Sequence, residues 1–342
     1  MRRIFVPAAV RAPGSPRNVN PAFSVILLTT LIGAGQGLFI AVFIVELGAL
    51  FDLLTPPIRP WFYFYGALVS VGFTGAGLVA SFFHLGRPAR AWRSAAKWRT
   101  SWLSREVIVL PAFMAVVIAY ATAHFLNLNG AYGSDEGRVT DPTVLLGVAG
   151  TVLALALYVC TGMIYACLPF LREWATSLTV INFTLLGLAS GFSLAAAATL
   201  APAPVLRFFA TCALILTVAG FAGRVASLNR NARLRPKSTL QTAIGIKHPR
   251  IVQKAVGFSA DSFNTREFFH GRTMRFVRSI KWVFLLGAFA LPAALLAAGV
   301  AGAPKPVFAL AFVAQYLGLL AERWHFFAQA NHPQNLYYQA VA

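Results

Sequence analysis

Long apolar blocks alternate with short polar and basic segments along the whole chain. Eight blocks are long enough to cross a hydrocarbon core of about 30 Å, which takes about 20 helical residues. They are roughly Ala22–Val45, Trp61–Phe83, Val107–Leu126, Val144–Tyr165, Leu178–Leu200, Val205–Gly223, Trp282–Val300 and Val307–Leu320. The blocks are uniformly apolar and too long for the alternating strands of a barrel. The pattern therefore predicts an all-α polytopic integral membrane protein, a bundle of eight transmembrane helices.

Composition supports this interpretation. The chain is 58% hydrophobic and 11% charged, too few polar side chains to cover a water-soluble globule. The net charge is +19, and the basic residues gather at the ends of the apolar blocks, where charge orients a membrane protein. Nucleic acid is therefore not the predicted partner. Cys160, Cys167 and Cys212 lie inside apolar blocks without a CxxC pair and are predicted to be reduced packing thiols.

The distribution of basic residues predicts the orientation. If the helices alternate in direction, 25 of the 29 Lys and Arg residues fall on one side of the membrane. By the positive-inside rule this side is cytoplasmic, and it carries both termini. The predicted organisation is a basic cytoplasmic arm (1–21), six helices (22–223), a basic cytoplasmic loop (224–281), two helices (282–322) and a cytoplasmic tail (323–342). The arm has no apolar core followed by a cleavage site, so no removable signal peptide is predicted.

The loop 224–281 is the longest polar segment. It is too short for a catalytic domain with its own core. Its thirteen basic residues are mixed with phenylalanines, which favours docking of a soluble partner. Enforcement of topology and contact with anionic lipid remain alternatives.

Residues 83–106, "FHLGRPARAWRSAAKWRTSWLSRE", form a cytoplasmic hairpin between the second and third helices. His84 leaves one helix and Glu106 begins the next on the same membrane face, so the two side chains are predicted to flank one interfacial pocket. Quinone chemistry suits such a pair, because quinone exchanges two electrons and two protons while its tail stays in lipid. Histidine titrates near neutral pH and can pass protons, and the carboxylate can relay them. The alternative is an interfacial histidine beside an ordinary boundary charge.

The basic residues of the hairpin are expected to hold this face in the cytoplasm, while its tryptophans suit the headgroup layer. Arg87 and Arg105 are expected to tune the Glu106 carboxylate and the approach of a partner.

"FHLGRPARAW" followed by "WRTSWLSRE" resembles the DmsC-type membrane anchor subunits of dimethyl-sulfoxide-reductase-like molybdoenzymes. In that family the corresponding histidine and glutamate are associated with menaquinol binding, which implies the same role for His84 and Glu106. The GQG around Gln36 and "LLAERWHFFAQANHPQNLYYQ" also resemble family patterns. The long basic loop is more similar to the anchors of sulfite-dehydrogenase-type relatives, whose catalytic subunits are cytoplasmic.

The resemblance implies a subunit of the bacterial inner membrane that uses menaquinone or ubiquinone. Its partners would be an iron–sulfur electron-transfer subunit and a molybdopterin catalytic subunit, which alone would hold the molybdenum cofactor and the iron–sulfur clusters. It implies a haem-free anchor, and no helix centre carries a histidine for axial ligation. The expected direction is from cytoplasmic sulfite into the quinone pool, with reduction of a dimethyl sulfoxide-type substrate as the next choice.

Several polar residues lie inside apolar blocks and are expected to face the bundle interior or an interface, because they are costly in lipid. They are Gln36, Glu46, Asn182, Gln315 and Glu322. Gln36 and Glu322 are secondary quinone-site candidates, and helix–helix hydrogen bonding is the alternative.

Two other functions are weighed against quinone exchange. A secondary transporter would require broken helices and ion-binding groups near the midplane, whereas the titratable groups gather at one edge. A purely structural anchor would carry no quinone chemistry of its own.

Overall fold

The fold was analysed in a computed structural model, which describes residues 22–51, 53, 58–128, 141–198, 202–235, 239–251 and 274–330. The predicted N-terminal arm, most of the predicted basic loop and the end of the predicted tail lie outside these ranges.

Helices make up almost all of the regular structure. The helices are α1 (Ala22–Leu50), α2 (Pro60–Phe82), α3 (Trp102–Phe125), α4 (Pro142–Ala166), α5 (Ser177–Ala197), α6 (Ala203–Ala232), a short α7 (Leu240–Ile244), α8 (Met274–Leu285, continued by a π-helical turn Leu286–Ala290 and by Leu291–Val300) and α9 (Pro306–Ala328). A 3₁₀ helix, Pro88–Lys97, lies between α2 and α3. Within the described ranges, eight helices are long and apolar enough to span a membrane, which confirms the predicted fold class.

Most of the helices extend beyond the predicted apolar blocks, and three of them extend furthest. Helix α6 continues to Ala232, α8 begins at Met274 and α9 continues to Ala328. The residue boundaries predicted at 224, 281 and 322 therefore lie inside helices. Charged residues ended the predicted blocks, but Arg224 and Glu322 are buried, because they pair with each other within the bundle.

Helix α1 is the centre of the bundle and packs against α2, α4, α5 and α9. Its closest approach is to α5, where glycines face each other. A Cβ atom built on Gly37 would lie 3.0 Å from the Cα atom of Gly191, and a Cβ on Gly191 would overlap the Gly37 backbone. Small residues let helix backbones meet in this way.

We expect Gly191→Val to push α1 and α5 apart and to destabilise the protein by about 1–3 kcal/mol, since overpacking a tight contact forces backbone shifts. Gly72→Val is the matched control, because a Cβ atom added to Gly72 in α2 would have nothing within 4 Å. Thermal unfolding of the purified protein in lipid nanodiscs measures the difference. Equal melting temperatures for the two variants would contradict the packing argument.

One end of the bundle is defined by contacts among helix ends. Ser24 at the start of α1 bonds His84 after α2, and the Trp174 indole nitrogen before α5 donates to the Phe326 carbonyl of α9 at 2.9 Å. Arg230 of α6 donates to the Arg172 carbonyl at 3.0 Å. We call this end the basic face. Its described basic residues outside the bundle core are Arg87, Arg90, Arg93, Lys97, Arg99, Arg105, Arg172, Arg230, Arg233, Arg235, Lys247, Arg250, Arg275, Arg278 and Lys281.

A separate buried cluster closes the opposite end of the bundle. Tyr120 of α3 donates to Glu46 of α1 at 2.6 Å, and His124 lies 3.2 Å from the same carboxylate. The Tyr63 ring of α2 stacks on the His124 ring at 4.7 Å between centroids. Glu46 therefore joins three helices far from the basic face.

Candidate functional site

A small polar cavity lies inside the bundle near the basic face, and we call it the Glu106 cavity. It is lined by Leu28, Thr29, Ile32, Gly33, Gln36, Glu106, Tyr158, Thr161 and Phe183. Residues of α1, α3, α4 and α5 thus surround it. It has room for about one water molecule, so it suits a single ligand oxygen rather than a whole ring.

Gln36 is the most unusual residue of the cavity. Its side chain is 1% exposed, yet neither its amide oxygen nor its amide nitrogen bonds any of the described residues. A buried amide without a partner costs about 1–3 kcal/mol. The helix–helix hydrogen bond that the sequence allowed for Gln36 is therefore not formed, and the amide is free to bind a ligand or water.

Glu106 is buried in the second turn of α3 and points into the same cavity. The Thr161 hydroxyl of α4 donates to its Oε1 atom at 2.5 Å. Close by, the Tyr158 hydroxyl donates to the Gly33 carbonyl at 2.7 Å and fixes that wall of the cavity. The cavity therefore combines a neutral amide and a carboxyl group inside otherwise apolar helices.

His84 lies at the edge of the bundle rather than in the cavity wall. It is half-buried, and its Nδ1 atom lies 3.2 Å from the Ser24 hydroxyl. Partial burial lowers the pKa of the His84 imidazole below its usual 6.5, because desolvation disfavours the cation. Ser24 and Gln36 are separated by about 18 Å along α1, at about 1.5 Å per residue. The structure thus places Glu106 and Gln36 on one cavity and His84 nearer the surface.

The two arginines predicted to tune Glu106 have other contacts. Arg105 donates to the carbonyls of Trp98 and Arg99, both at 2.9 Å, and its guanidinium covers the Trp102 ring at 4.2 Å. Arg87 is exposed at the start of the 3₁₀ helix. Within the described ranges, no ion pair joins either arginine to Glu106. Arg105 instead fastens the hairpin to the start of α3.

Glu322 belongs to a second polar cavity, which we call the Arg224 cavity. It is lined by Glu173, Thr179, Asn182, Phe183, Arg224, Ser227, Glu322, Arg323, Phe326 and Gln329. Glu322 is 1% exposed and lies 2.8 Å from the Arg224 guanidinium and 3.2 Å from that of Arg323. Two buried arginines share this one buried carboxylate, while Glu173, also in the cavity lining, is half-buried. Through the ion pair with Arg224, Glu322 connects α6 to α9.

Phe183 of α5 separates the two cavities. Its side chain lines both, and the Arg323 guanidinium lies 3.6 Å from its ring centroid. Arg323, which is paired with Glu322, therefore packs against a ring that also lines the Glu106 cavity.

The interior positions predicted for Gln36, Glu46, Asn182, Gln315 and Glu322 are all confirmed by their burial. Sequence reasoning missed Thr161 and Tyr158, since a single hydroxyl in an apolar helix gives no signal of its own. It also assigned Arg224 to a loop and Arg323 to the tail. The adjacent acid and base in "AERW", at the end of an apolar block, were the available signal for a buried ion pair.

These features define a multi-pass membrane subunit with a polar cavity just below a basic face. Residues 18–249 match the family model of the DMSO reductase anchor subunit (DmsC). The chain is also 53% identical over 326 residues to a subunit of the sulfite dehydrogenase of Allochromatium vinosum, covering 95% of this chain and 100% of that protein. The chain therefore belongs to the DmsC family of DMSO reductase anchor subunits, as the hairpin resemblance predicted. It is a membrane anchor of a molybdoenzyme complex.

Proposed function

We propose that the protein exchanges electrons between the iron–sulfur subunit of its complex and the membrane quinone pool, with the Glu106 cavity as the quinone site. The observation that supports this most is the unpartnered amide of Gln36, which shares a buried cavity with the Glu106 carboxyl group. An unsatisfied polar group inside a membrane bundle marks a functional site by default.

The polar groups of the cavity fit a quinone oxygen. Quinone, in its menaquinone or ubiquinone form, supplies the two-electron, two-proton chemistry of the reaction. The Gln36 nitrogen is a free hydrogen-bond donor for a carbonyl oxygen, and its own oxygen accepts from a hydroxyl. Glu106 accepts or gives the proton at its carboxyl group, while Thr161 orients that group. Leu28, Ile32 and Phe183 supply apolar walls that exclude water.

His84 is assigned the exchange of protons with solvent at the rim. It is half-buried and bonded to the first turn of α1, at the end of the bundle that carries the basic face. Its lowered pKa keeps the imidazole neutral near pH 7. A neutral imidazole has one nitrogen that accepts a proton and one that donates, which suits transfer in either direction.

The basic face is proposed to be cytoplasmic in a bacterial inner membrane. Its basic residues outside positions 87–97 are proposed to hold the iron–sulfur subunit, which in turn binds the molybdopterin subunit. The positive-inside rule supports the orientation, and the basic surface supports docking of an acidic partner. Because the relative is a sulfite dehydrogenase subunit, we propose that electrons flow from sulfite to quinone. The anchor itself carries no molybdenum cofactor, iron–sulfur cluster or haem in this proposal.

Gln36→Leu tests the site in membranes that hold the whole complex. We expect quinone-linked turnover to fall at least about tenfold, since loss of a hydrogen bond to a buried ligand costs about 1.5 kcal/mol or more. Oxidation of sulfite with a soluble dye, which bypasses the anchor, should be unchanged. Gln315→Leu is the matched control, because the nitrogen of this equally buried amide already donates to the Thr217 hydroxyl at 2.8 Å, whereas neither amide atom of Gln36 has a partner among the described residues.

His84→Ala extends the same assay. A rim position predicts a partial loss of quinone-linked turnover that added imidazole restores in part. If Gln36→Leu, His84→Ala and Gln315→Leu all leave quinone-linked turnover at the wild-type level, the anchor is purely structural and the proposal is wrong.

A further inference from the structure

The 3₁₀ helix Pro88–Lys97 has a regular surface pattern that the quinone site does not use. A 3₁₀ helix has about three residues per turn and rises about 2 Å per residue, so residues three apart lie in a row about 6 Å apart. The Arg90 amide donates to the Arg87 carbonyl at 3.0 Å, which brings Arg87 into the first turn. Arg87, Arg90 and Arg93 therefore form one row, and all three are exposed.

A second row is apolar and mostly exposed. It contains Ala89, Trp92, Ala95 and Trp98, of which Ala95 is half-buried, while Trp92 is 71% and Trp98 52% exposed. The Arg93 guanidinium lies 5.6 Å from the Trp92 ring centroid, so the basic and apolar rows touch. The third row includes Ala91 and Ser94, which are half-buried where the helix packs against α3.

The charge of the arginine row is uncompensated. The sequence has no Asp or Glu between Phe83 and Arg105. Among the described residues, no ion pair involves Arg87, Arg90 or Arg93. Exposed guanidiniums spaced by about 6 Å can each bind a separate phosphate through paired N–H groups.

The position of the 3₁₀ helix indicates which kind of anion the arginine row binds. It joins the ends of two membrane-spanning helices, so it lies at the membrane surface, and Phe83 beside it is 81% exposed. A helix with an apolar row carrying tryptophans next to a basic row is typical of segments that lie in the headgroup layer and attract anionic lipid. A surface for a soluble protein would not need to expose two tryptophans and a phenylalanine at lipid depth.

We propose that Pro88–Lys97 is an anionic-phospholipid site, in which Trp92 and Trp98 enter the acyl boundary and Arg87, Arg90 and Arg93 bind headgroup phosphates of the same leaflet. Each basic residue at an anionic membrane surface contributes about fivefold in affinity, so the three arginines of the row together contribute on the order of a hundredfold.

The purified complex in mixed detergent–lipid micelles tests this, with brominated phosphatidylglycerol and brominated phosphatidylcholine as quenchers of tryptophan fluorescence. The fluorescence that comes from Trp92 and Trp98 is obtained by subtracting the fluorescence of the double variant Trp92→Phe/Trp98→Phe from that of the wild type. We expect quenching at lower mole fraction of the phosphatidylglycerol than of the phosphatidylcholine, and we expect added salt to reduce the preference.

The variant Arg87→Gln/Arg90→Gln/Arg93→Gln should abolish that preference, a shift of about a hundredfold in the half-quenching mole fraction. The control Arg233→Gln/Lys247→Gln/Arg250→Gln removes the same charge from exposed positions elsewhere on the basic face and should keep it. Equal quenching by both lipids in the wild type overturns the proposal. The proposal is also overturned if the triple variant of Arg87, Arg90 and Arg93 keeps the lipid preference but no longer co-purifies with the soluble subunits. In that case the arginine row is a protein-docking surface.

Discussion

Glu106→Gln is expected to lower quinone-linked turnover of the complex at least about a hundredfold, while dye-linked oxidation of sulfite is unchanged. The substitution keeps the size and the hydrogen bond from Thr161 but removes the group that accepts and gives a proton. Loss of a positioned acid–base group commonly costs between about a hundredfold and ten-thousandfold. Parallel assays on membranes that hold the whole complex, with a quinone analogue and with a soluble dye, measure the two rates.

Two further variants separate chemistry from packing. Glu106→Asp keeps a carboxyl group and should recover part of the quinone-linked rate. Glu46→Gln removes a carboxylate that is also buried and also accepts a hydrogen bond, but at the opposite end of the bundle. We expect Glu46→Gln to affect stability without a selective loss of quinone-linked turnover. A selective loss in Glu46→Gln and none in Glu106→Gln would show that the quinone site lies at the opposite end of the bundle from the one we propose.

Glu322→Gln is expected to destabilise the protein by about 3–5 kcal/mol, a larger effect than any other single substitution considered. Glu322 is the only carboxylate that the described residues pair with Arg224 and Arg323. Without it, both buried guanidiniums lose the carboxylate with which they are paired. The melting temperature of the purified protein in nanodiscs should fall by many degrees, and the wild-type value would contradict the assignment.

The double variant Arg224→Gln/Glu322→Gln distinguishes an ion pair from general packing. It removes one positive and one negative charge and leaves Arg323 stacked on Phe183, so it should be more stable than Glu322→Gln alone. Glu173→Gln is the matched control for the cavity itself. Glu173 lines the same cavity but is only half-buried, so its neutralisation should change the melting temperature little.

Much of the site follows from sequence, because interior polar residues are conspicuous in apolar blocks. Gln36 and Glu106 were both predicted candidates, and they line one cavity. The sequence predicted that His84 and Glu106 flank one pocket because both lie at the same face of the membrane. The structure separates them because Glu106 lies a full turn inside α3, whereas His84 follows the end of α2 and bonds the first turn of α1. Depth within a helix end is not visible in a count of charges.

The sequence by itself determined that the protein lies in a membrane, that it is all-α and how many helices span the bilayer. These follow from the length and uniformity of the apolar blocks, since an apolar helix of about 20 residues is stable when it crosses the hydrocarbon core of a bilayer. Only the tertiary structure decided which polar groups meet. Arg224 and Glu322 are almost a hundred residues apart and pair across α6 and α9, while Gln36 reaches the Glu106 cavity without a partner. Such pairings depend on which helix faces pack together, and the packing of uniformly apolar helices is set by small residues and interior polar contacts between distant segments.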